Sequence, residues 1–458
     1  MKKYFIETYG CQMNKAESDS LELILRRRGW ESVPSDTEAD LIIINTCSVR
    51  QTAEDRIWGR IGYFKKLKES HSFKLVIIGC MAQRVKEELY TTCKGTVDLV
   101  LGTLEKNNIL EYLEGLPEEE SSTYTFQEYH SDGKSFKTFV PIMHGCNNFC
   151  SYCIVPYVRG REVSRNAEEI LHEIEFLEQH NVKEITLLGQ NVNSYRGIYK
   201  GKEISFPELL KLICSHIDSI GWVRFLSSHP KDFSSALIDT IAANPQVCRH
   251  IHLPVQHGSN RILSHMNRRY TREHYLDIVS EIKEKIPGVS LTTDILIGFP
   301  GETEEDLEAT LDLMQKVRFI DAYTYYYNPR EGTKACTMAD SLPLETKLKR
   351  LEKVIALQHR ISAQEKEKKV GQIQRVLVES VSKKDDKEML GRTEGDEMVV
   401  FPEKCDTIGM FLDVKLLSCN GNTYKGRGTG NPRGCGHRNQ HGRPHRRSLC
   451  NGIQARPA

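Results

Sequence analysis

The sequence has no apolar run long enough to cross a bilayer. Its longest hydrophobic stretches, such as Leu41–Ile44 and Leu75–Ile78, span only a few residues, whereas a transmembrane helix needs about 20. The first residues, Met1–Thr8, read as a strand and contain no apolar signal-peptide region with a cleavage site. These absences predict a cytoplasmic protein that does not associate with membranes.

The chain also has almost no net charge. Its 63 Lys and Arg residues nearly balance 62 Asp and Glu residues, which leaves a formal charge of +1 at pH 7. Bulk electrostatic attraction to nucleic acid is therefore nearly absent, and any such binding must come from local patches. No internal repeat is visible either, so a repeat architecture is not predicted.

Cysteine, in contrast, is abundant, with 14 residues in 458. A chain without a secretory signal is not expected to use them as structural disulfides. Metal-binding or catalytic thiols are therefore the first interpretation.

The order of strand and helix patterns predicts an α/β protein of several domains, because 458 residues exceed one ordinary core. Residues 1–115 alternate buried β-branched runs with helical patterns, which predicts a doubly wound βαβ domain. The acidic, Ser-rich stretch 116–136 has no apolar period and is predicted to be a linker. Residues 137–345 contain six βα units, which favours a partial barrel with its reacting groups at the strand C-termini.

The sequence pattern of the C-terminal part changes at two points. Residues 346–369 form a charged helical stretch that is predicted to connect the barrel to residues 370–425. The short alternating strands of that segment indicate a small all-β barrel, a shape often used on RNA. Residues 426–458 are rich in Gly, Arg and His, lack acidic residues and are predicted to be disordered.

The sharpest motif is Cys146-Asn-Asn-Phe-Cys150-Ser-Tyr-Cys153, which follows a predicted strand at the catalytic face of the barrel. Three thiolates on one short loop can hold a [4Fe–4S] cluster and leave its fourth iron open. That iron can bind S-adenosylmethionine and pass an electron to its sulfonium, so the cofactors supply the radical chemistry. A zinc loop is the alternative, but zinc sites usually pair two knuckles, and no suitable second knuckle is present.

Three further strand ends carry turn-forming residues at the same face, namely Gly189–Asn193, Ser227–Pro230 and Ile297–Glu302. Each is compatible with an ordinary βα turn, for which Gly, Asn and Ser are the usual residues. Their shared position at strand C-termini favours a role in binding.

Cys11, Cys47 and Cys80 are far apart in sequence, but each follows a predicted strand by one or two residues. Because the C-terminal ends of parallel strands meet at one edge of a sheet, these three cysteines are expected to converge and hold a second cluster. A lone buried cysteine is more often a small hydrophobe. That interpretation is kept for Cys93, Cys214, Cys248, Cys336, Cys405 and Cys419.

Together these motifs resemble the radical-SAM methylthiotransferase family over about residues 1–425. The matching segments are Thr8–Asn14, Asn45–Arg50, Gly79-Cys80, His144–Glu162, Ser164-Arg165, His252–Gln256 and Asp294–Thr303. Within the family, the residues around Cys11 and Cys47 resemble the branch that makes 2-methylthio-N6-isopentenyladenosine (dimethylallyl) in tRNA. The branches that act on threonylcarbamoyl-adenosine and on a ribosomal-protein aspartate carry different residues there.

The resemblance implies two [4Fe–4S] clusters and S-adenosylmethionine as cofactors. Cys146, Cys150 and Cys153 would hold the radical-SAM cluster, and Cys11, Cys47 and Cys80 an auxiliary cluster with an open iron or attached sulfur. One S-adenosylmethionine would methylate that sulfur, and a second would be cleaved to a radical that takes hydrogen from C2 of the adenine. No general base is evident, so no catalytic residue is assigned.

The resemblance also implies contacts with S-adenosylmethionine and with RNA. The expected cofactor-binding residues are Tyr152, Gln190, Asn191, Ser228, Asp294 and Gly298. The expected RNA-binding residues, which could equally be plain surface charge, are Arg159, Arg161, Arg165, Arg268 and Arg269.

The expected partners follow from the same family. They are a tRNA anticodon stem–loop, whose unpaired base can be splayed out at little cost, a flavodoxin or ferredoxin as electron donor, and a sulfur or cluster donor protein. The β barrel resembles the TRAM domain and would contact phosphates. The protein is expected to be a monomer.

Two departures from the family pattern stand out. His257 occupies a position where serine is more usual, so a ligand contact there would differ. The β domain of the family is expected to finish with a strand that ends near Thr423–Gly426, whereas from Lys425 to Ala458 this chain runs into a Gly-, Arg- and His-rich basic tail. That tail could add RNA affinity, result from a frameshift, or bind metal through Cys435, His437, His441 and His445.

Two competing functions remain. The first is the same chemistry on threonylcarbamoyl-adenosine or on a ribosomal-protein aspartate. The second is a non-catalytic iron–sulfur electron carrier or RNA-binding protein. A pure carrier needs no open iron, so two three-cysteine sites argue against it.

Overall fold

The computed structural model describes residues 2–48, 51–115, 124–339 and 342–429. Val49 and Arg50 of the second cysteine motif, residues 116–123 of the acidic stretch, and the tail from residue 430 with its four metal candidates lie outside the described residues. Within the described ranges, no helix is both long and apolar enough to span a membrane.

The N-terminal part is a parallel sheet with helices on both faces. Its elements are β1 (Lys3–Thr8), α1 (Gln12–Arg27), β2 (Glu31–Ser32), β3 (Leu41–Thr46), α2 (Gln51–Leu67), β4 (Lys74–Gly79), α3 (Cys80–Arg84), α4 (Lys86–Thr92), β5 (Leu99–Leu101) and α5 (Ile109–Glu114). The strand order is β2-β1-β3-β4-β5 with every pair parallel. Two hydrophobic cores lie on opposite faces of β3 and β4, which confirms the doubly wound arrangement.

The middle of the chain forms a partial barrel. Its elements are β6 (Lys137–Pro141), β7 (Met143–His144), α6 (Val155–Arg159), β8 (Val163–Ser164), α7 (Ala167–Gln179), β9 (Glu184–Leu188), β10 (Arg196–Tyr199), β11 (Lys202–Ser205), α8 (Phe206–His216), β12 (Trp222–Phe225), α9 (Ser235–Ala243), β13 (His250–His252), α10 (Asn260–His265), α11 (Arg272–Lys285), β14 (Ser290–Ile297), α12 (Glu304–Val317) and β15 (Asp321–Tyr326). The parallel strands run β6-β9-β12 and β13-β14-β15, and a Val223–Val247 bridge joins the two groups. The six-unit partial barrel is confirmed.

Strand register decides which residues face the barrel lumen, because alternate side chains point to opposite faces. The residues Val140, Ile185, Leu187, Val223, Ile251 and Ile295 belong to the core packed under the surrounding helices. Their alternates therefore face inward. Most of this set is polar or aromatic, namely Phe139, Thr186, Arg224, His250, His252, Thr292, Asp294, Tyr323 and Tyr325, although Leu188 and Leu296 share the inward register. Such a mainly polar and aromatic wall can receive a ligand.

A closed β barrel follows the long helix α13 (Leu344–Glu367). Its strands are β16 (Ile373–Val381), β17 (Glu388–Thr393), β18 (Met398–Pro402), β19 (Phe411–Asn420) and β20 (Thr423–Gly428), in the order β16-β17-β18-β20-β19. The final strand expected to end near Thr423–Gly426 is present as β20 and continues to Gly428. Tyr424 is fully buried there, and Gly426 lies against Val414 where a Cβ would approach to 2.4 Å.

The turn between β17 and β18 closes the lower end of the partial barrel. Arg224, on the lumen face, donates to the carbonyl oxygens of Glu394 and Thr393 at 2.8 and 2.9 Å. The Arg249 N–H donates to the Glu394 carboxylate at 3.1 Å. Because the strands end at the opposite side, the two cysteine sets lie away from this closed end.

Candidate active site at the junction of two cysteine sets

Cys11, Cys47 and Cys80 follow β1, β3 and β4 at the C-terminal edge of the N-terminal sheet. The order in which strands are added to the sheet reverses between β1 and β3. Open α/β sheets bind ligands at such a topological switch point. The loops are in contact, since a Cβ added to Gly10 would lie 2.7 Å from the Cβ of Cys47. A Cβ added to Gly79 would lie 2.5 Å from the Thr46 carbonyl oxygen. The structure therefore brings the three loops together.

A buried asparagine pair, not identified from the sequence, ties these loops to each other. The Asn14 amide donates to Asn45 Oδ1 at 2.9 Å and to the Thr46 carbonyl at 3.0 Å. The Asn45 amide donates back to the Asn14 carbonyl at 2.9 Å. Asn14 Oδ1 also accepts from the Cys11 thiol at 3.2 Å. Asn14 and Asn45 both lie within the sequence motifs around Cys11 and Cys47. That position was the one signal in the sequence that could have identified the pair.

The Cys146 loop is held in a compact turn. Cys153 N–H donates to the Cys150 carbonyl at 2.9 Å, and Cys146 N–H to the Gly160 carbonyl at 3.1 Å. Burial raises the pKa of Cys146 to about 11 and that of Cys153 to about 12. Thiolates are the metal-binding form, so these sites favour a bound cation that offsets their burial.

Every described cysteine is free of disulfides. Among the same residues, no three His, Cys, Asp or Glu side chains are placed to hold a single metal ion.

The short helix α6, directly after Cys153, joins the two cysteine sets. Val158 of this helix, and Ile154 immediately before it, pack against Cys80. The Thr103 hydroxyl, beyond β5, donates to the Val158 carbonyl at 2.6 Å. The two sets therefore lie on either side of one domain interface.

A buried charge cluster reinforces this interface. The carboxylate of Glu17, on α1, accepts from Lys106 at 2.7 Å and from Arg159 of α6 at 2.9 Å. Burial alone would raise the pKa of Glu17, but the charges of Arg159 and Lys106 outweigh it and lower that pKa well below its usual range. Burial and the same two cations lower the pKa of His144, which is therefore neutral.

Three of the five arginines predicted to contact RNA are buried in the structure. Arg159 is in the cluster above, and Arg165 is fully enclosed in an ion pair with Glu173. Arg268 is 5% exposed and contacts Cys150. Arg161 and Arg269 are exposed.

Several expected S-adenosylmethionine contacts carry buried polar atoms that lack a hydrogen-bond partner among the described residues. These atoms are Gln190 Oε1, Asn191 Oδ1 and Ser228 Oγ, together with Asn193 Nδ2 and His229 Nε2. All follow β9 or β12 at the same end as Cys146. A buried polar group is costly unless it is bonded, so this set fits a polar ligand bound beside the cysteine loop. Tyr152, within that loop, accepts from Arg268 at 3.5 Å.

Asp294 and Gly298 are placed differently from the other expected contacts. Asp294 lies mid-strand on the lumen wall, 3.6 Å from His252. At Gly298 an added Cβ would meet the Lys347 side chain at 2.5 Å, so the close neighbour there is α13.

His257, noted as a departure from the family pattern, is fully buried. Its ring lies 3.2 Å from the Glu302 carboxylate and accepts from the Ser259 N–H at 3.1 Å. The residue is fully enclosed in the core beneath α12, where Thr310 also contacts its ring.

A cavity of about 730 Å³ occupies the lumen and its side opening. Its lining includes Gln12 and Arg26 of α1, Phe139, Thr186 and Leu226 of the barrel wall, and Asp396 of the C-terminal barrel. All three parts of the protein thus border one chamber.

Comparison with known families identifies each part. Residues 3–102 match the Uncharacterized protein family UPF0004, residues 140–314 the Radical SAM superfamily, and residues 367–427 the TRAM domain. Two solved structures share the fold. They are the radical S-adenosylmethionine methyltransferase TsrM from Kitasatospora setae (TM-score 0.56, 15% identity, covering 73% of this chain and 77% of that one) and the cobalamin-dependent S-adenosylmethionine radical enzyme OxsB (TM-score 0.51, 11% identity, covering 78% and 56%).

The fold and the cysteine loop thus define a radical SAM enzyme with a TRAM domain, and this superfamily implies S-adenosylmethionine and a [4Fe–4S] cluster. A tRNA-2-methylthio-N(6)-dimethylallyladenosine synthase of Treponema denticola is 49% identical over 448 residues, which is 92% of this chain and 99% of the relative. One from Natranaerobius thermophilus is 44% identical over 427 residues, covering 91% and 94%. The chain belongs to this family of synthases.

Proposed function

We propose that the protein adds a methylthio group to C2 of N6-dimethylallyladenosine in a tRNA anticodon loop, with Cys146, Cys150 and Cys153 holding one [4Fe–4S] cluster and Cys11, Cys47 and Cys80 a second. The observation that carries the proposal is the packing of α6 against Cys80. This packing brings the Cys146 loop and the loops of Cys11, Cys47 and Cys80 to one domain interface, which supports two clusters acting together.

The residues of the chain bind and orient rather than transfer protons. When bound, the cluster and S-adenosylmethionine supply radical chemistry that can break a C–H bond too strong for acid–base catalysis. The unpartnered amide and hydroxyl oxygens of Gln190, Asn191 and Ser228 hold the polar groups of S-adenosylmethionine. Asn14 and Asn45 keep the auxiliary loops in register.

The adenine enters the lumen and stacks on the wall formed by β15. Tyr323 and Tyr325 point inward yet remain 54% and 39% exposed. His252 packs edge-on against Tyr323 with ring centroids 5.8 Å apart. Exposed aromatic faces bind splayed-out bases by stacking.

Replacing Tyr323 and Tyr325 with Ala is expected to weaken tRNA binding without changing iron content. Loss of one stacked base costs about 1–3 kcal/mol, or roughly 5- to 150-fold in Kd. This change in Kd is measured by anaerobic binding of the protein to an anticodon stem–loop. Tyr63→Ala, an equally exposed tyrosine on α2, is the control, and an unchanged Kd in the double variant would remove β15 from the RNA site.

The TRAM barrel supplies phosphate contacts through one exposed basic surface. Lys415 on β19 pairs in register with Arg427 on β20, and Lys425 lies on the same outward face. Changing all three to Gln is expected to weaken tRNA binding uniformly across sequences and to reduce the slope of log K against log salt by about 2–3, since each phosphate contact contributes about 0.7–0.9. Affinity measured at several salt concentrations tests this, and an unchanged slope would place the phosphates elsewhere.

The remaining partners follow from the chemistry. A flavodoxin or ferredoxin supplies single electrons, a sulfur or cluster donor protein renews the sulfur, and the enzyme acts as a cytoplasmic monomer. Arg161 and Arg269, the two exposed candidates, contact RNA beside the chamber.

The decisive test is the substrate. Anaerobic enzyme with reductant, S-adenosylmethionine and tRNA bearing dimethylallyladenosine should yield the 2-methylthio nucleoside by mass spectrometry. The same reaction with tRNA carrying threonylcarbamoyl-adenosine, or with a ribosomal protein, should yield no methylthio product. Product from either substrate, and none from the first, would reassign the branch.

A further inference from the structure

Arg268 is an arginine held inside the protein beside the Cys146 loop. Its guanidinium donates to Cys150 Sγ at 3.3 Å, to the Tyr270 hydroxyl at 3.1 Å and to the Pro254 carbonyl at 3.0 Å. Only 5% of the residue is exposed. Three anchors therefore fix the charge next to one cysteine sulfur.

The charge has no carboxylate partner among the described residues. Its electrostatic neighbours are Tyr152, Tyr270 and Cys150, which are all neutral until they lose a proton. An uncompensated buried charge is expensive. The nearest group that becomes anionic on binding metal is the Cys150 thiolate, so Arg268 complements a metal–thiolate site.

We propose that Arg268 is a positioning residue that raises the reduction potential of the radical-SAM cluster by donating a charge-assisted hydrogen bond to the Cys150 thiolate. Reduction adds one electron, taken from a low-potential one-electron donor, and therefore one negative charge to the cluster. A fixed cation and a hydrogen bond to a ligand sulfur stabilise the reduced state more than the oxidised one. The inference rests on the proposed function only for the cluster at Cys146, Cys150 and Cys153.

The next residue provides a matched control. Arg269 is adjacent in sequence but exposed, with φ of +58° turning its side chain away from the buried site. If both arginines served RNA, their variants would behave alike. If Arg268 serves the cluster, only its variants shift the potential.

The test is a redox titration of the full-length holoenzyme with dithionite, followed by electron paramagnetic resonance. The signal of this cluster is the one that changes when S-adenosylmethionine is added. Arg268→Met and Arg268→Gln are expected to lower the equilibrium constant for reduction at least tenfold, which corresponds to about 59 mV for one electron. Arg268→Lys keeps the charge but not the planar guanidinium, so the reduction potential of the cluster is expected to fall less. Arg269→Met should leave the reduction potential at the wild-type value.

Each result is decisive. An unchanged reduction potential in Arg268→Met and Arg268→Gln would overturn the proposed role of Arg268. If the same two variants also lost tRNA affinity, Arg268 would be an RNA contact instead. If the neutral variants fail to assemble a cluster, an unchanged potential in Arg268→Lys would overturn it equally. A wild type with no signal responsive to S-adenosylmethionine would overturn the proposed function as well, which separates the two failures.

Discussion

Replacing Cys11, Cys47 and Cys80 together with Ala is expected to abolish tRNA methylthiolation while the protein still converts S-adenosylmethionine to 5′-deoxyadenosine. The three thiols belong to the N-terminal sheet, whereas the radical-generating loop and the strand-end oxygens belong to the partial barrel. Removing one set leaves the other intact. Iron should fall from about eight to about four per chain on the two-cube interpretation.

The reciprocal variant completes this experiment. Changing Cys146, Cys150 and Cys153 to Ala should also leave about four irons but should eliminate both activities. Cys214→Ala, which removes a buried thiol packed in the barrel core, is the control and should retain the full iron content. A wild type with about four irons, all lost in the Cys146 triple variant, would exclude the auxiliary cluster and leave a simpler radical SAM activity.

Replacing Glu17 with Ala is expected to destabilise the protein by about 3–5 kcal/mol, because it leaves the buried cations Arg159 and Lys106 without their shared partner. The control on the same helix is Lys15→Ala, which breaks an exposed pair with Asp19 and should cost less than about 1 kcal/mol. Anaerobic urea unfolding measures both. Equal stability of the two variants would contradict a structural role for the cluster.

The same cluster predicts a pH dependence. Since the pKa of Glu17 is lowered in the folded state, its contribution is present above the unfolded carboxyl pKa of about 4.3 and is lost as pH falls toward the folded pKa. Glu17→Gln should therefore flatten the acid side of the stability profile. Because Glu17 also joins α1 to α6, methylthiolation should fall more than S-adenosylmethionine cleavage in this variant.

Much of the architecture was predictable from local patterns. Buried β-branched runs identified the central strands, and turn residues after them identified the ligand edge. The first turn of α1 was harder to predict. The helix begins at Gln12, and its residues Met13 and Ala16 pack against Leu188 of the partial barrel. A helix face buried by another domain does not follow the pattern of a surface helix.

The strands β17 and β20 carry glycines where neighbouring strands approach closely, at Gly391 and Gly426. Glycine weakens a strand pattern when the sequence is read alone. Closure of the barrel, not propensity, makes these segments strands.

The sequence by itself predicted the radical SAM chemistry and the candidate ligands. Cys11, Cys47 and Cys80 each follow a strand, and Cys146, Cys150 and Cys153 share one short loop, so both patterns can be read from the order of residues alone. Only the tertiary structure decided that the two sets share one interface, that Arg159 and Arg268 are buried beside thiols, and that Tyr323 and Tyr325 face the lumen. Those facts depend on how separate domains pack and on strand register, and contacts between residues more than a hundred positions apart leave no periodic signal in the sequence.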